Sequence, residues 1–232
     1  LVLPPPAGPI VTSSTHPDST KWVANSTLGL NWVAADEAVE GYSYVLDTAP
    51  TTLPDDISEG SRTDVTYKNL ADGIHYFHIK ALRRGSWGGV THFSASIDTT
   101  PPAEFPIDII PSARTTRRQP SAQWTTTDNL SGVDYYELKS IPLTPRIVEA
   151  INNDSARSLF IEVQSPYTLP TLERGRYDVI IRAYDHAGNF QEMVEGLTIV
   201  NPLFKLIGGQ GLEIGGAVTL SWAWVWLFFF IA

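Results

Sequence analysis

The sequence predicts an all-β chain, built as two tandem β-sandwiches followed by a hydrophobic C-terminal helix. Three observations carry that expectation. Seventeen Gly and 17 Pro, with abundant Thr, Ser, Tyr and Trp, favour many short strands joined by turns over long helices. Two segments of the chain can be laid over each other, with Trp and Gly recurring in the same order. Late in each segment, residues alternate between apolar and polar, the period of a half-buried strand.

From the N-terminus, Pro4 to Pro9 reads as a stiff polyproline-type spacer, placing residues 1–8 outside the first domain. The first copy runs Leu28-Gly-Leu30-Asn-Trp32, Gly41-Tyr-Ser-Tyr44-Val-Leu-Asp47 and Leu70-Ala-Asp-Gly73-Ile-His75-Tyr-Phe77-His-Ile79-Lys-Ala81, within a domain at 9–98. His75, Phe77, Ile79 and Ala81 share one strand face and form core, whereas Tyr76, His78 and Lys80 face solvent. Asp98-Thr-Thr-Pro101-Pro102 cannot continue a ladder and is a short linker, residues 99–102.

The second copy, within a domain at 103–200, runs Pro120-Ser-Ala122-Gln-Trp124, Ser131-Gly132-Val-Asp-Tyr135-Tyr-Glu137-Leu and Leu172-Glu-Arg-Gly175-Arg-Tyr177-Asp-Val179-Ile-Ile181-Arg-Ala183. Its core face carries Tyr177, Val179, Ile181 and Ala183. The Trp-to-Gly spacing is 41 residues from 32 to 73 and 51 from 124 to 175, so the second copy holds an insertion of ten, placed between Leu138 and Ser165. Trp32 and Trp124 each sit on an early strand and fill the space between sheets.

After a flexible linker at 201–213, residues 214–232 are nineteen consecutive uncharged residues ending in Trp222-Ala-Trp224-Val-Trp226-Leu-Phe228-Phe-Phe-Ile-Ala232. As a helix they extend roughly 28 Å, enough to cross a bilayer, so a transmembrane anchor is expected. A terminal strand is the alternative reading.

Composition and charge exclude several function classes. A formal charge of −9 and 18% charged residues argue against nucleic-acid binding, whose affinity comes from Lys and Arg neutralising phosphates. Zero cysteines remove thiol nucleophiles, Cys-based zinc sites and disulfides. Five histidines are scattered without metalloprotease spacing, and His75 and His78 point to opposite strand faces. No Gly-x-Ser-x-Gly elbow exposes a nucleophile. The sequence therefore assigns no catalytic residue, no cofactor and no metal ligand. Asp128, Asn129, Ser131 and Asp134 gather oxygen donors around Gly132; this is either a tight turn using Asx side chains or a Ca²⁺ loop lacking its terminal acidic residue. Asp185, Gly188 and Asn189 read as a hairpin turn. Asn25, Asn129 and Asn153 begin Asn-x-Ser/Thr glycosylation acceptor patterns.

The residues Asn31-Trp32, Gly41-Tyr-Ser-Tyr44, Asp72-Gly73 and Asp98-Thr-Thr-Pro101-Pro102 of the first copy, with Asp128-Asn-Leu-Ser131-Gly132-Val and Asp185-His-Ala187-Gly188-Asn189 of the second, resemble bacterial and archaeal extracellular immunoglobulin-like repeats related to fibronectin type III. In that resemblance, His75 stands where the family places an aromatic, as Tyr177 does in the second copy. The resemblance implies immunoglobulin/fibronectin-III-like sandwiches that serve as stalks, spacers or binding modules outside the cell. The resulting expectation is a non-catalytic cell-surface stalk or adhesion module, anchored in the membrane by 214–232, with a cell-surface protein or glycan as partner. The alternative is a carbohydrate- or protein-binding accessory region of a larger secreted enzyme. Candidate ligand-contact aromatics are Trp22, Tyr42, Tyr44, Tyr76 and Trp87.

Overall fold

The computed structural model describes residues 4–143, 159–215 and 218–231. The chain divides into two compact units: Leu1–Ala103 with Thr127–Asp134 and Tyr184–Gln191, and Glu104–Thr126 with Tyr135–Ala183 and Glu192–Ala232.

In the first unit, β1 (Ile10–Ser13), β3 (Leu28–Val33) and β5 (Asp64–Tyr67) form one antiparallel sheet with β3 central. The facing sheet is ordered β2 (Trp22–Val23), β7 (Ser86–Ile97), β6 (Gly73–Arg83) and β4 (Gly41–Asp47), with β2 parallel to β7. The alternation in β6 explains the core, because Phe77, Ile79 and Ala81 are buried on one face together with Leu28, Leu30 and Trp32 of β3. The Trp32 ring lies 5.8 Å from Tyr42, 5.3 Å from Tyr44 and 5.7 Å from Phe77, centroid to centroid. Its indole N–H is buried without a partner among the described residues.

The second unit repeats this wiring. β8 (Asp108–Ile110), β10 (Ser121–Gln123) and β13 (Tyr167–Thr168) form the small sheet. Opposite it run β12 (Ile161–Val163), β11 (Val133–Pro142), β14 (Gly175–Asp185), β15 (Phe190–Ile199) and β9 (Arg114–Thr115), with β9 parallel to β15. Tyr177, Val179, Ile181 and Ala183 are all buried, and Trp124 packs edge-on to Tyr136 at 5.7 Å. In both units the first and third strands pair, joined by β5 in one and β13 in the other, and a short second strand runs parallel to β7 or β15. That is the wiring of an immunoglobulin-like or fibronectin-III-like sandwich. A difference among the described residues is β12, an added edge strand inside the stretch expected to carry the insertion; residues 144–158 of that stretch lie outside the described residues.

One corner is built alike in each copy. The Tyr177 hydroxyl donates to the Glu173 carbonyl at 2.9 Å, and His75 Nε2 meets the Ala71 carbonyl at 2.7 Å, each four residues back. His75 thus performs in the first copy the hydrogen bond of a tyrosine corner, which explains the departure from an aromatic at that position.

Three expectations need correction. The first is the transmembrane helix: no described helix is long and apolar enough to cross a membrane. Instead β16 (Phe204–Ile207), β17 (Gly211–Ile214) and β18 (Val218–Ser221) pair as a meander, and among the described residues after them Trp222–Ile231 is helical (α1). Ten residues extend about 15 Å, half the hydrocarbon thickness. The reason is local. Gly215, at φ +63°, reverses the chain after β17, and the β-branched Val218 and Thr219 then pair back onto Ile214 and Glu213. The stretch expected as a linker at 201–213 carries β16 and most of β17.

The second is the proline-rich start. Its backbone is held to the first sandwich: Gly89 N–H donates to the Pro6 carbonyl at 3.0 Å, Thr91 Oγ1 to Pro9 and Arg83 to Pro4. Gly88 permits this contact, since a Cβ there would lie 2.2 Å from the Pro6 carbonyl oxygen. The third concerns His78 and Lys80, which face away from the core yet are 0% and 8% exposed. The segment after β4 covers them.

Candidate functional site

The outer face of the β2-β7-β6-β4 sheet carries one polar row. Ser43 Oγ donates to Asp55 Oδ1 at 3.1 Å, and Lys80 Nζ donates to Asp56 Oδ1 at 2.5 Å while lying 4.9 Å above the Trp87 ring. His78 Nε2 sits 2.9 Å from the Ala49 carbonyl, which makes that nitrogen a donor, and His78 Nδ1 lies 2.5 Å from His92 Nδ1. The sequence placed these two histidines apart; cross-strand pairing of β6 with β7 sets them opposite each other. A nitrogen pair this close has room for one proton and not for a metal, because two imidazoles bound to Zn²⁺ at about 2.0–2.1 Å stand more than 3 Å apart. Hydrogen bonds from Thr52, then Ala49, and the neighbouring His78 hold the Asp47 carboxyl below the usual carboxylate range. The row therefore fastens the loop after β4 onto the sheet.

The five candidate aromatics do not gather on one surface. Tyr42 is 4% exposed and Tyr44 packs against Trp32 and Phe77, both on the inner face. Register puts Tyr76 on the outer face, and Trp87 lies there beneath Lys80; both are half-buried. Trp22, half-buried, pairs with Ser96 at the sheet edge. Tyr76 and Trp87 remain as the aromatics of an accessible face.

A second cluster lies within the first unit and joins three segments the sequence treated separately. One oxygen from each of Asp98, Asp128 and Asp185 lies within 4.8 Å of the other two. Asp98 ends the first sandwich; its Oδ1 accepts from Thr100 N–H at 3.1 Å and its Oδ2 from Ser131 N–H at 3.1 Å. Asp128 Oδ1 accepts from the amides of Leu130 and Gly132 at 3.0 and 2.8 Å, the Asx turn expected from the sequence, with Gly132 at φ +80°. Asp185 Oδ1 accepts from the amides of Ala187 and Asn189, while Asn189 Nδ2 donates both to Asp185 Oδ2 and to the Asp98 carbonyl. Asp98 and Asp185 are 0% and 2% exposed. Asn129 is exposed, and Asp134 stands outside the cluster, 3.3 Å from His186. Three ionised carboxylates at such separations repel by roughly 3–4 kcal/mol per pair at an effective dielectric near 20. The amides offset part of this repulsion, and no Lys or Arg among the described residues forms an ion pair with any of the three. The signal available in the sequence was an Asp at the head of each of three turn motifs; what was missing was that the fold brings the three heads together.

The segment beyond Asp98 is also pinned from the other side. Asp72 Oδ1 accepts from the Thr99 amide at 2.9 Å and the Thr99 hydroxyl at 2.8 Å, and its Oδ2 accepts from the Thr100 hydroxyl at 2.6 Å. The Thr100 hydroxyl foremost, with Thr99, holds the Asp72 carboxyl below its ordinary value against the opposing effect of desolvation.

Comparison with known proteins adds little. No protein-family model matches the chain, and no curated protein sequence matches it. Among solved structures it is similar to the FN1–FN3 domains of chicken CNTN1, at 14% identity and TM-score 0.40 over 84% of this chain and 67% of that one. It is also similar to the fibronectin(III)-like modules of Clostridium thermocellum CbhA, at 10% identity and TM-score 0.41 over 82% of this chain and 94% of that one.

Proposed function

We propose that the chain is a non-catalytic adhesion or spacer module displayed outside the cytoplasm, made of two sandwiches that each stand on their own core. The observation that carries this reading is how the polar side chains of the first sandwich are used. His75, His78, Lys80 and Ser43 are each bonded to a neighbouring carbonyl or carboxylate in a way that closes a corner or fastens a loop. Groups committed to such bonds brace a scaffold; a reaction centre needs titratable groups converging on open space. The extracellular placement is supported by the resemblance of the turn motifs to surface repeats. The partner class is a cell-surface protein or glycan.

A second reading, an accessory binding region beside a catalytic domain, is favoured by Tyr76 and Trp87 on the accessible sheet face, since rigid aromatics suit sugar rings. Affinity electrophoresis through gels containing soluble polysaccharides separates the two. The adhesion or spacer reading expects migration that Tyr76→Ala and Trp87→Ala leave unchanged. Retardation that disappears in Tyr76→Ala and Trp87→Ala would replace it with the accessory reading.

A further inference from the structure

We propose that Asp98, Asp128 and Asp185 form a Ca²⁺ site with the Ser131 hydroxyl as a neutral fourth donor. The donor set is all oxygen, the ligand class of a hard cation. Carboxylate oxygens within 4.8 Å of one another meet the pairwise condition for sharing one ion, since two ligands on opposite sides of a Ca²⁺ at about 2.4 Å each stand that far apart.

A second observation points to a ligand. Ser131 is nine-tenths buried, and its Oγ has no hydrogen-bond partner among the described residues. Its own amide bonds Asp98 Oδ2 at 3.1 Å, and the amides on either side of it bond Asp128 Oδ1, so the hydroxyl hangs one Cα–Cβ–Oγ arm from two of the three carboxylates. A buried hydroxyl is ordinarily satisfied. An ion among the carboxylates gives this one a role. Asp128 Oδ2 likewise accepts no hydrogen bond among the described residues, which leaves it open for coordination. The amides already on Asp98 and Asp185 hold those carboxylates in place, as hydrogen bonds around metal-binding carboxylates do. Bound Ca²⁺ would cross-link the end of the first sandwich at Asp98 to the Asp128 turn and the Asp185 turn.

The test uses the full chain, freed of divalent ions and titrated with CaCl₂ by calorimetry, alongside thermal melts in CaCl₂ and in EDTA. The expected result is one saturable site per chain and a higher melting temperature in Ca²⁺. Asp128→Asn keeps the Oδ1 that caps Leu130 and Gly132, so it should fold as the parent does in EDTA and bind Ca²⁺ about tenfold or more weakly. Asp134→Asn, which changes a nearby carboxylate outside the cluster, should bind as the parent does. If Asp128→Asn does not fold, Ser131→Ala takes its place, with weakened binding expected. Absence of both heat and a melting shift in CaCl₂ at about 5 mM overturns the proposal. So does parental affinity in Asp128→Asn, and so does MgCl₂ binding as tightly as CaCl₂.

Discussion

Trp124→Ala tests the core of the second sandwich. The side chain is 4% exposed, and burying an aromatic removes roughly 150–250 Å² from water, which at about 25 cal/mol per Å² contributes roughly 4–6 kcal/mol. The edge-on contact with Tyr136, at 5.7 Å and 73°, adds about 1 kcal/mol. Against this, the indole N–H is buried without a partner among the described residues, a desolvation cost of roughly 1–3 kcal/mol that the mutation removes. The net expectation is a loss of about 3–5 kcal/mol, in the range of large-to-small core substitutions. In urea, with a slope near 2 kcal/mol per M, the midpoint of the second unit should fall by about 2 M while that of the first stays put. Trp124→Phe keeps a ring and discards the orphan donor, so it should cost less than about 1.5 kcal/mol. Equal midpoints for Trp124→Ala and the parent in a circular-dichroism urea melt would refute the reasoning.

Four further outcomes follow from named contacts. His75→Phe and Tyr177→Phe each delete the corner hydrogen bond of one sandwich and should each cost about 1 kcal/mol in urea melts, with His75→Tyr milder than His75→Phe. Gly88→Ala places a methyl 2.2 Å from the Pro6 carbonyl, so it should lower first-unit stability by roughly 1–3 kcal/mol and speed proteolysis of residues 4–9. Asp72→Ala releases Thr99 and Thr100 and should hasten limited proteolysis within residues 99–102. Burial, and then the neighbouring His75, push the His16 imidazole below its ordinary value near 6.5. The unfolded chain therefore binds more protons in the window just below 6.5; stability of the first unit is full above that value and declines as pH falls toward the folded-state pKa. His16→Gln should flatten this slope in melts taken between pH 5 and 8, on the order of the titration window.

What the sequence made legible was what alternation and punctuation encode. Phe77, Ile79 and Ala81, and Tyr177 through Ala183, declare a period of two, and a register error of one residue would turn them all out of the core between the sheets. Trp32 and Trp124 were readable as core because each copy supplies one large aromatic to fill the gap between sheets. His78 and Lys80 misled because alternation says which face a residue takes and nothing about a loop folding over that face. The C-terminus misled for a related reason. Hydropathy over 214–232 measures aversion to water, and it was Gly215 with β-branched neighbours that directed the first part of the stretch into a meander. The acidic cluster was illegible because Asp98, Asp128 and Asp185 meet only through tertiary structure. Each alone satisfies a local turn.

Pulling single molecules from their two ends tests most directly whether the chain is a pair of self-standing sandwiches suited to spacing and presentation. Sandwiches of the sizes expected from the sequence should unfold in two separate events, each releasing about 300–350 Å of contour at roughly 3.3–3.6 Å per residue. Trp124→Ala should weaken one event and leave the other unchanged. A single event releasing the whole length, or extension without resolved events, would contradict the account.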